Sequence, residues 1–259
     1  MRKLGLKPDT PDIRDKMYTA RGVIKAKVVL PDSATLEGYF LDVRDQGDIG
    51  SCSAFAVTSV VDALYRLKFS EAGLRHVSVP PAAPLFTYYV TRELENNVGR
   101  DDGATMRGAI KSVNTYGASY EELWPYDVNH VHTKPTDQAY EVALKRQAVK
   151  YERVRQNEYD LCYCIVRNFA VVFGASIYPS FYTAPDGVIP IPQRSERLDG
   201  GHALVIVGYD AKARYFVVRN SWGKDWGQDG YCLMPFDYIL DSNLACDFWT
   251  INLMEDDEN

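Results

Sequence analysis

Two patterns predict an α+β fold. Apolar residues recur at helical spacing through the first half of the chain, and short runs rich in Val, Ile and Tyr fill the second. Helices first and strands second imply two lobes with a cleft between them.

From Cys52 the positions Phe55, Val57, Val60, Val61, Leu64 and Leu67 keep a helical period, predicting a central helix with one buried face and Cys52 in its first turn. Ser78–Pro84 reads as a loop whose prolines open a helix from Pro84 to about Asn96. Asn97–Asp102 is turn-like, and Met106–Tyr116 reads as a helix closed by Gly117. After a polar connection over Asn129–Pro135, Thr136–Ala148 reads as helical, and Asn157 caps a helix through Leu161 and Val166. Ala170–Ile177, His202–Tyr209, Tyr215–Arg219 and Gly230–Met234 are the expected strands.

Residues 1–38, interrupted by Pro8, Pro11 and Pro31, show no clear hydrophobic period and read as an N-terminal extension. Residues 39–259 form the body, with about 39–130 mainly helical and 131–259 mainly β. The acidic run Glu255–Glu258 is expected to be solvated.

The composition narrows the function. A net charge of −6 argues against nucleic acid as a main partner. No run approaches the ~18 apolar residues that span a bilayer, so no membrane partner is expected. The start lacks the apolar core of a signal peptide, and the five cysteines are an odd number at irregular spacings. A reducing, cytoplasmic setting and a monomeric chain are the expectations.

The chemistry sits in three segments. Gln46-Gly-Asp-Ile-Gly-Ser-Cys52 places a thiol at the start of the central helix, where unpartnered N–H groups favour a thiolate. Far downstream come Gly200-Gly-His202-Ala-Leu and Asn220-Ser-Trp222-Gly. Cys, His and Asn in that order are the parts of a thiol acyl-transfer site. His76, His130 and His132 sit in polar sequence and are expected at the surface. Cys162 and Cys164, two apart on a helix, point away from each other and read as independent residues, with no metal site.

These residues resemble the papain-like cysteine peptidases over roughly Leu41 to Pro235. The positions Ile49-Gly50-Ser51-Cys52-Ser53 match three of the five in the family's nucleophile signature, and His202 follows Cys52 by 150 residues. Asp102-Gly103-Ala104, Trp124-Pro125-Tyr126, Ala170-Val171-Val172 and Trp226–Tyr231 fall in family order. The resemblance implies a two-lobed fold, with a helical lobe and an antiparallel sheet or barrel lobe.

It also implies thiol-dependent peptide hydrolysis through an acyl-enzyme, by default as an endopeptidase acting on polypeptides without a cofactor. Cys52 is then the nucleophile, His202 the proton carrier and Asn220 its orienting partner. Gln46 and the Cys52 amide would stabilise the oxyanion. Gly103, Ala104, Met106, Gly201 and Trp222 would contact substrate, with Trp222 shielding the His–Asn bond. Ile49 stands where secreted relatives carry a disulfide cysteine, and Ser53 replaces an aromatic, its hydroxyl expected to help cap the helix. Family zymogens carry a longer propeptide over the cleft; residues 1–38 are either a surface arm or a short segment of that kind. A transamidase or ligase, and a peptide-binding module without turnover, are the alternatives.

Overall fold

The computed structural model describes residues 2–18, 28–74 and 76–254. The acidic tail and residues 19–27 of the extension lie outside the described residues. In chain order the elements are β1 (Leu6–Lys7), β2 (Ser33–Thr35), α1 (Cys52–Glu71), α2 (Pro84–Leu94), β3 (Ala104–Thr105), α3 (Met106–Tyr116), α4 (Asp137–Ala143), β4 (Ala148–Arg153) and α5 (Glu158–Val166). Then come β5 (Val171–Ile177), α6 (Pro179–Tyr182), β6 (Gly200–Asp210), β7 (Tyr215–Arg219), β8 (Tyr231–Pro235), α7 (Phe236–Leu240) and β9 (Ala245–Met254).

The helices begin where local chemistry favours them. Pro84 opens α2, the Thr105 hydroxyl accepts from the Gly108 amide at the start of α3, and Asn157 accepts from the Asp160 amide at the start of α5. Gly117, with φ of 78°, closes α3 in a conformation that a Cβ disfavours.

α1 departs from the one-faced helix that its periodicity predicts. Every residue from Cys52 to Ala63 is buried, because the helix packs against β6 and β9 of the sheet and also against α2 and α3. The hydroxyls that this burial traps donate along the helix, Thr58 to the Ala54 carbonyl and Ser59 to the Ala56 carbonyl, both at 2.8 Å.

The strands run β4-β9-β5-β6-β7-β8, all pairs antiparallel, with β2 added against β6. Ser33–Thr35, from the stretch read as an extension, therefore pair with the sheet. The expected helix over Thr136–Ala148 ends at Ala143. Arg146 turns into the interior there, 3.5 Å from the buried Asp62, and the chain continues as β4. The strand β9 lacks the alternation that marks a half-buried strand, since Phe248, Trp249, Thr250 and Ile251 are all buried.

The sheet register places the residues of interest. Ala175 pairs with His202 across β5 and β6, and Val205 pairs with Arg219 across β6 and β7. Asn220, one residue past β7, is thereby carried to the start of β6.

Candidate active site

His202, buried on β6, holds Asn220 through a 2.7 Å contact between Nε2 and Oδ1. Oδ1 of Asn220 also accepts from the Ser221 amide at 2.8 Å, which leaves it as a fixed acceptor and makes Nε2 the protonated nitrogen. The other ring nitrogen, Nδ1, is buried without a partner. The Trp222 ring lies 4.7 Å from the His202 ring, centre to centre, and is itself packed by Phe181, Tyr182 and Trp226. It thus keeps water from the His–Asn bond.

Cys52 is the first residue of α1 and fully buried. Gln46 is also buried; its Oε1 accepts from the Ser221 hydroxyl at 2.6 Å, and its Nε2 donates to the Ile49 carbonyl at 3.0 Å. An antiparallel bridge between Asp45 and Trp222 and the bond from Gln46 N–H to the Ser221 carbonyl join the segments bearing Gln46 and Asn220.

The N-terminal residues run between these walls. β1 pairs in parallel with β3, and the Ala104 amide donates to the Gly5 carbonyl at 2.9 Å. Gln46 Nε2 also reaches the Lys3 carbonyl, at 3.3 Å. A Cβ on Gly5 would stand 2.3 Å from the Gly50 carbonyl oxygen, and one on Gly201 would stand 2.8 Å from the Leu6 carbonyl oxygen. Leu6 points at Gly174, where an added Cβ would meet its Cδ2 at 2.4 Å.

Ion pairs hold the segment along its length. Arg2 pairs with Asp45 and donates to the Trp222 carbonyl, Lys3 pairs with Asp101 at 2.6 Å, and Lys7 with Asp102 at 2.8 Å. Further on, Asp9 accepts from the Arg107 amide at 3.0 Å and from the Trp249 indole at 2.8 Å, and Asp15 takes the Arg107 guanidinium at 2.6 Å.

This cover governs the charge state. Burial pushes the Cys52 thiol up, against amides of Ala203, Gly5, Ser53 and Cys52 itself that favour the thiolate. Burial also lowers His202 to about 4, opposed by its bond to Asn220 and assisted by the charge of Arg2. A thiolate favoured by the helix start is the expectation from sequence; with the arm in place, desolvation opposes that effect and favours the neutral form of each group.

Cys52, His202, Asn220, Gln46 and Trp222 thus share one buried site, and Gly103, Ala104 and Gly201 lie along the arm's path. Met106 is wholly buried at the start of α3. The Ser53 hydroxyl makes no capping bond; it is buried without a partner, and Ser51 at the cap position instead contacts the Tyr126 hydroxyl at 2.7 Å. Sequence reasoning missed Ser221, Asp101 and the arm residues Arg2, Lys3 and Gly5. The basic residues Arg2, Lys3 and Lys7 flanking Leu4-Gly5-Leu6, together with the acidic Asp101-Asp102, were the available signal.

His76, His130 and His132 are exposed, and all five cysteines are free thiols. Among the described residues no group of His, Cys, Asp or Glu is placed to hold a metal, and no helix is long and apolar enough to cross a membrane.

Comparison with known proteins adds to this geometry. The family model described as papain family cysteine protease matches residues 31–246. An uncharacterized peptidase C1-like protein of Acanthamoeba polyphaga mimivirus is 34% identical over 258 residues, covering 95% of this chain and 79% of the viral protein. Cathepsin 7 of Mus musculus is 30% identical over 207 residues, and the alignment spans 77% of this chain but 58% of that protein. The crystal structure of xylellain, a cysteine protease from Xylella fastidiosa, superposes with a TM-score of 0.85 at 36% identity, covering 96% of this chain and 95% of that one.

Proposed function

This chain belongs to the papain family of cysteine proteases and is a cysteine-type peptidase, and on that premise we propose that it hydrolyses internal peptide bonds through a thioester. The observation that carries the reading is the buried His202–Asn220 pair, 2.7 Å apart, beside a strip of extended polypeptide already lying in the cleft.

With the cleft open, the Cys52 thiolate attacks the substrate carbonyl carbon as its oxygen takes up charge. Gln46 Nε2 and the Cys52 amide hold that oxyanion, a role in which one donor contributes ~2.7–4 kcal/mol. His202 gives its proton to the amine as the C–N bond breaks. Water then attacks the thioester, His202 takes its proton, and the acid leaves as the thiol is regenerated. Asn220 keeps the imidazole in the tautomer this requires. Gly103, Ala104 and Gly201 pass the substrate backbone, Met106 belongs to the adjoining wall, and Trp222 keeps water from the histidine.

Residues 2–15 act as an inhibitory arm, making this form of the chain a closed one. Two features support that role. The backbone group facing the sulfur is the Gly5 amide N–H, which offers no carbon to attack, and β1 lies parallel to β3, docked by ion pairs rather than poised for cleavage. The endopeptidase assignment draws on the same segment, since the cleft accepts a chain that continues past Lys7 to Asp15.

The test is hydrolysis of a pooled fluorogenic peptide library by the full chain and by Cys52→Ala in reducing buffer. Turnover by the parent that disappears in the variant is expected. Turnover that persists in Cys52→Ala would remove the thiol from the mechanism.

A further inference from the structure

Gly50 stands two residues before Cys52, in the turn that sets the direction of the Cys52 amide and sulfur, and it is buried. All five cysteines are free thiols, so no disulfide fixes this turn. Two sets of hydrogen bonds hold it. On one side the Tyr126 hydroxyl donates to the Gln46 carbonyl and meets the Ser51 hydroxyl, both at 2.7 Å. On the other, the Gly50 amide donates to Asp101 Oδ1 at 2.9 Å.

Asp101 is itself fixed for that contact. Its Oδ1 also accepts from the Tyr88 hydroxyl at 2.6 Å, and the Tyr88 oxygen accepts from the Gly103 amide at 3.2 Å. One carboxylate and one phenol thus join the turn before Cys52 to the segment carrying Gly103. The two backbones touch: a Cβ on Gly50 would stand 3.0 Å from the Gly103 nitrogen. The Asp101 side chain is 13% exposed and Tyr88 is wholly buried, so water is a poor substitute for either partner. Burial pushes the Tyr88 phenol up, and its bond to Asp101 adds to this, so it stays a donor. Arg92 lies 4.1 Å from the Tyr88 ring and donates to the Val98 and Arg100 carbonyls, which holds the loop that bears Asp101.

We propose that Asp101 is a positioning residue for peptide hydrolysis: by holding the Gly50 amide, it fixes the turn that aims the Cys52 sulfur and amide at the substrate carbonyl. The proposal rests on the peptidase reading, with Cys52 as nucleophile and its amide at the oxyanion. Asp101 touches none of the reacting atoms in this role. Without Oδ1 the buried Gly50 N–H loses its acceptor, and the turn shifts to find another. The sulfur stays at the helix start, but its alignment with the oxyanion donors is lost. Such a misalignment slows the chemical step more than it weakens substrate binding.

The test compares hydrolysis of a fluorogenic peptide with alkylation of Cys52 by iodoacetamide, in the full chain carrying Gly5→Ala. That background unseats the arm, whose Lys3 also pairs with Asp101. Any arm that still competes with substrate acts on KM and not on kcat. Asp101→Ala should lower kcat by about tenfold with KM within about twofold. Alkylation should change by less than about threefold, since attack on iodoacetamide forms no oxyanion. Asp101→Asn keeps an acceptor for Gly50 and should restore kcat to within about threefold of the parent.

An unchanged kcat in Asp101→Ala overturns the proposal, and so does an equal loss in Asp101→Asn. Alkylation that falls in step with kcat also overturns it, because the thiol itself is then disturbed. Should Asp101→Ala fail to fold, Tyr88→Phe replaces it, removing the hydroxyl that steadies Asp101; kcat should fall about threefold, and no change overturns the proposal. If iodoacetamide reaches Cys52 in the Gly5→Ala parent but no peptide is cleaved, the peptidase reading falls and this proposal falls with it.

Discussion

Ser221 Oγ donates to Gln46 Oε1 at 2.6 Å, and that bond turns the Gln46 Nε2 donor into the cleft, where it meets the Lys3 carbonyl. Ser221→Ala removes the bond that holds Oε1 and leaves the amide held through Nε2 alone, by the Ile49 carbonyl at 3.0 Å. The expected outcome is a fall in kcat of about tenfold with KM little changed, because the donor matters most when the oxyanion forms. Ser221→Thr, which keeps the hydroxyl, should recover most of the loss. A change confined to KM would count against this positioning role.

Gly5 lies against Gly50 and Gly103 with no room for a side chain; a Cβ on Gly103, whose φ is 86°, would stand 1.8 Å from the Gly5 carbonyl oxygen. Gly5→Ala should therefore undock the arm. Overpacking costs ~1–3 kcal/mol, so alkylation of Cys52 by a small thiol reagent should speed up by about 5- to 160-fold. Equal rates for parent and variant would mean that the arm does not limit access.

The arm should hold less firmly in mild acid. In the docked state His202 is lowered to about 4, chiefly by burial, and opening the cleft returns it towards the ordinary 6.5. Between these values the open form binds more protons. Docking is thus at full strength above pH 6.5 and weakens as pH falls towards 4. Asp9 acts in the opposite sense: burial and then Asp247 raise its carboxyl above 3.8, so its protonation in acid favours the docked arm. Hydrogen exchange at the Ala104 amide, corrected for the intrinsic rate, should show less protection at pH 5 than at pH 7.5. Unchanged protection would eliminate His202 as the controlling group.

A separate prediction concerns stability. Arg146 is 2% exposed, lies 3.5 Å from Asp62, and sits between the rings of Tyr65 and Tyr120 at 4.8 and 4.5 Å. Burial lifts the Asp62 carboxyl to about 6, with Arg146 and then Arg44 opposing the rise. Arg146→Met strands that carboxylate and should cost about 3–5 kcal/mol by urea denaturation. The double variant with Asp62→Asn should regain part of the loss. If the single variant costs under about 1 kcal/mol, Arg44 alone satisfies Asp62.

Local order was readable where local chemistry decides it. The start of α1 at Cys52, Pro84 opening α2, Asn157 capping α5 and Gly117 ending α3 follow from caps and periodicity. Signals weakened where burial is two-sided. The strand β9 has no alternation to reveal it, and α4 stops short because Arg146 gains more from Asp62 and two aromatic rings than from another helical turn.

The sequence by itself determined the chemical inventory: a thiol at a helix start, a histidine and an asparagine downstream, a glutamine six residues before the thiol, and the family they resemble. Those are properties of residue type and spacing. Only the tertiary structure decided which groups meet and what charge they carry. Gln46 and Ser221 are 175 residues apart, and Lys3 and Asp101 are 98 apart, so no local pattern ties them. The shift of Cys52 and His202 towards their neutral forms comes from burial, to which Trp222 and a segment of the chain's own N-terminus folded back over the site both contribute.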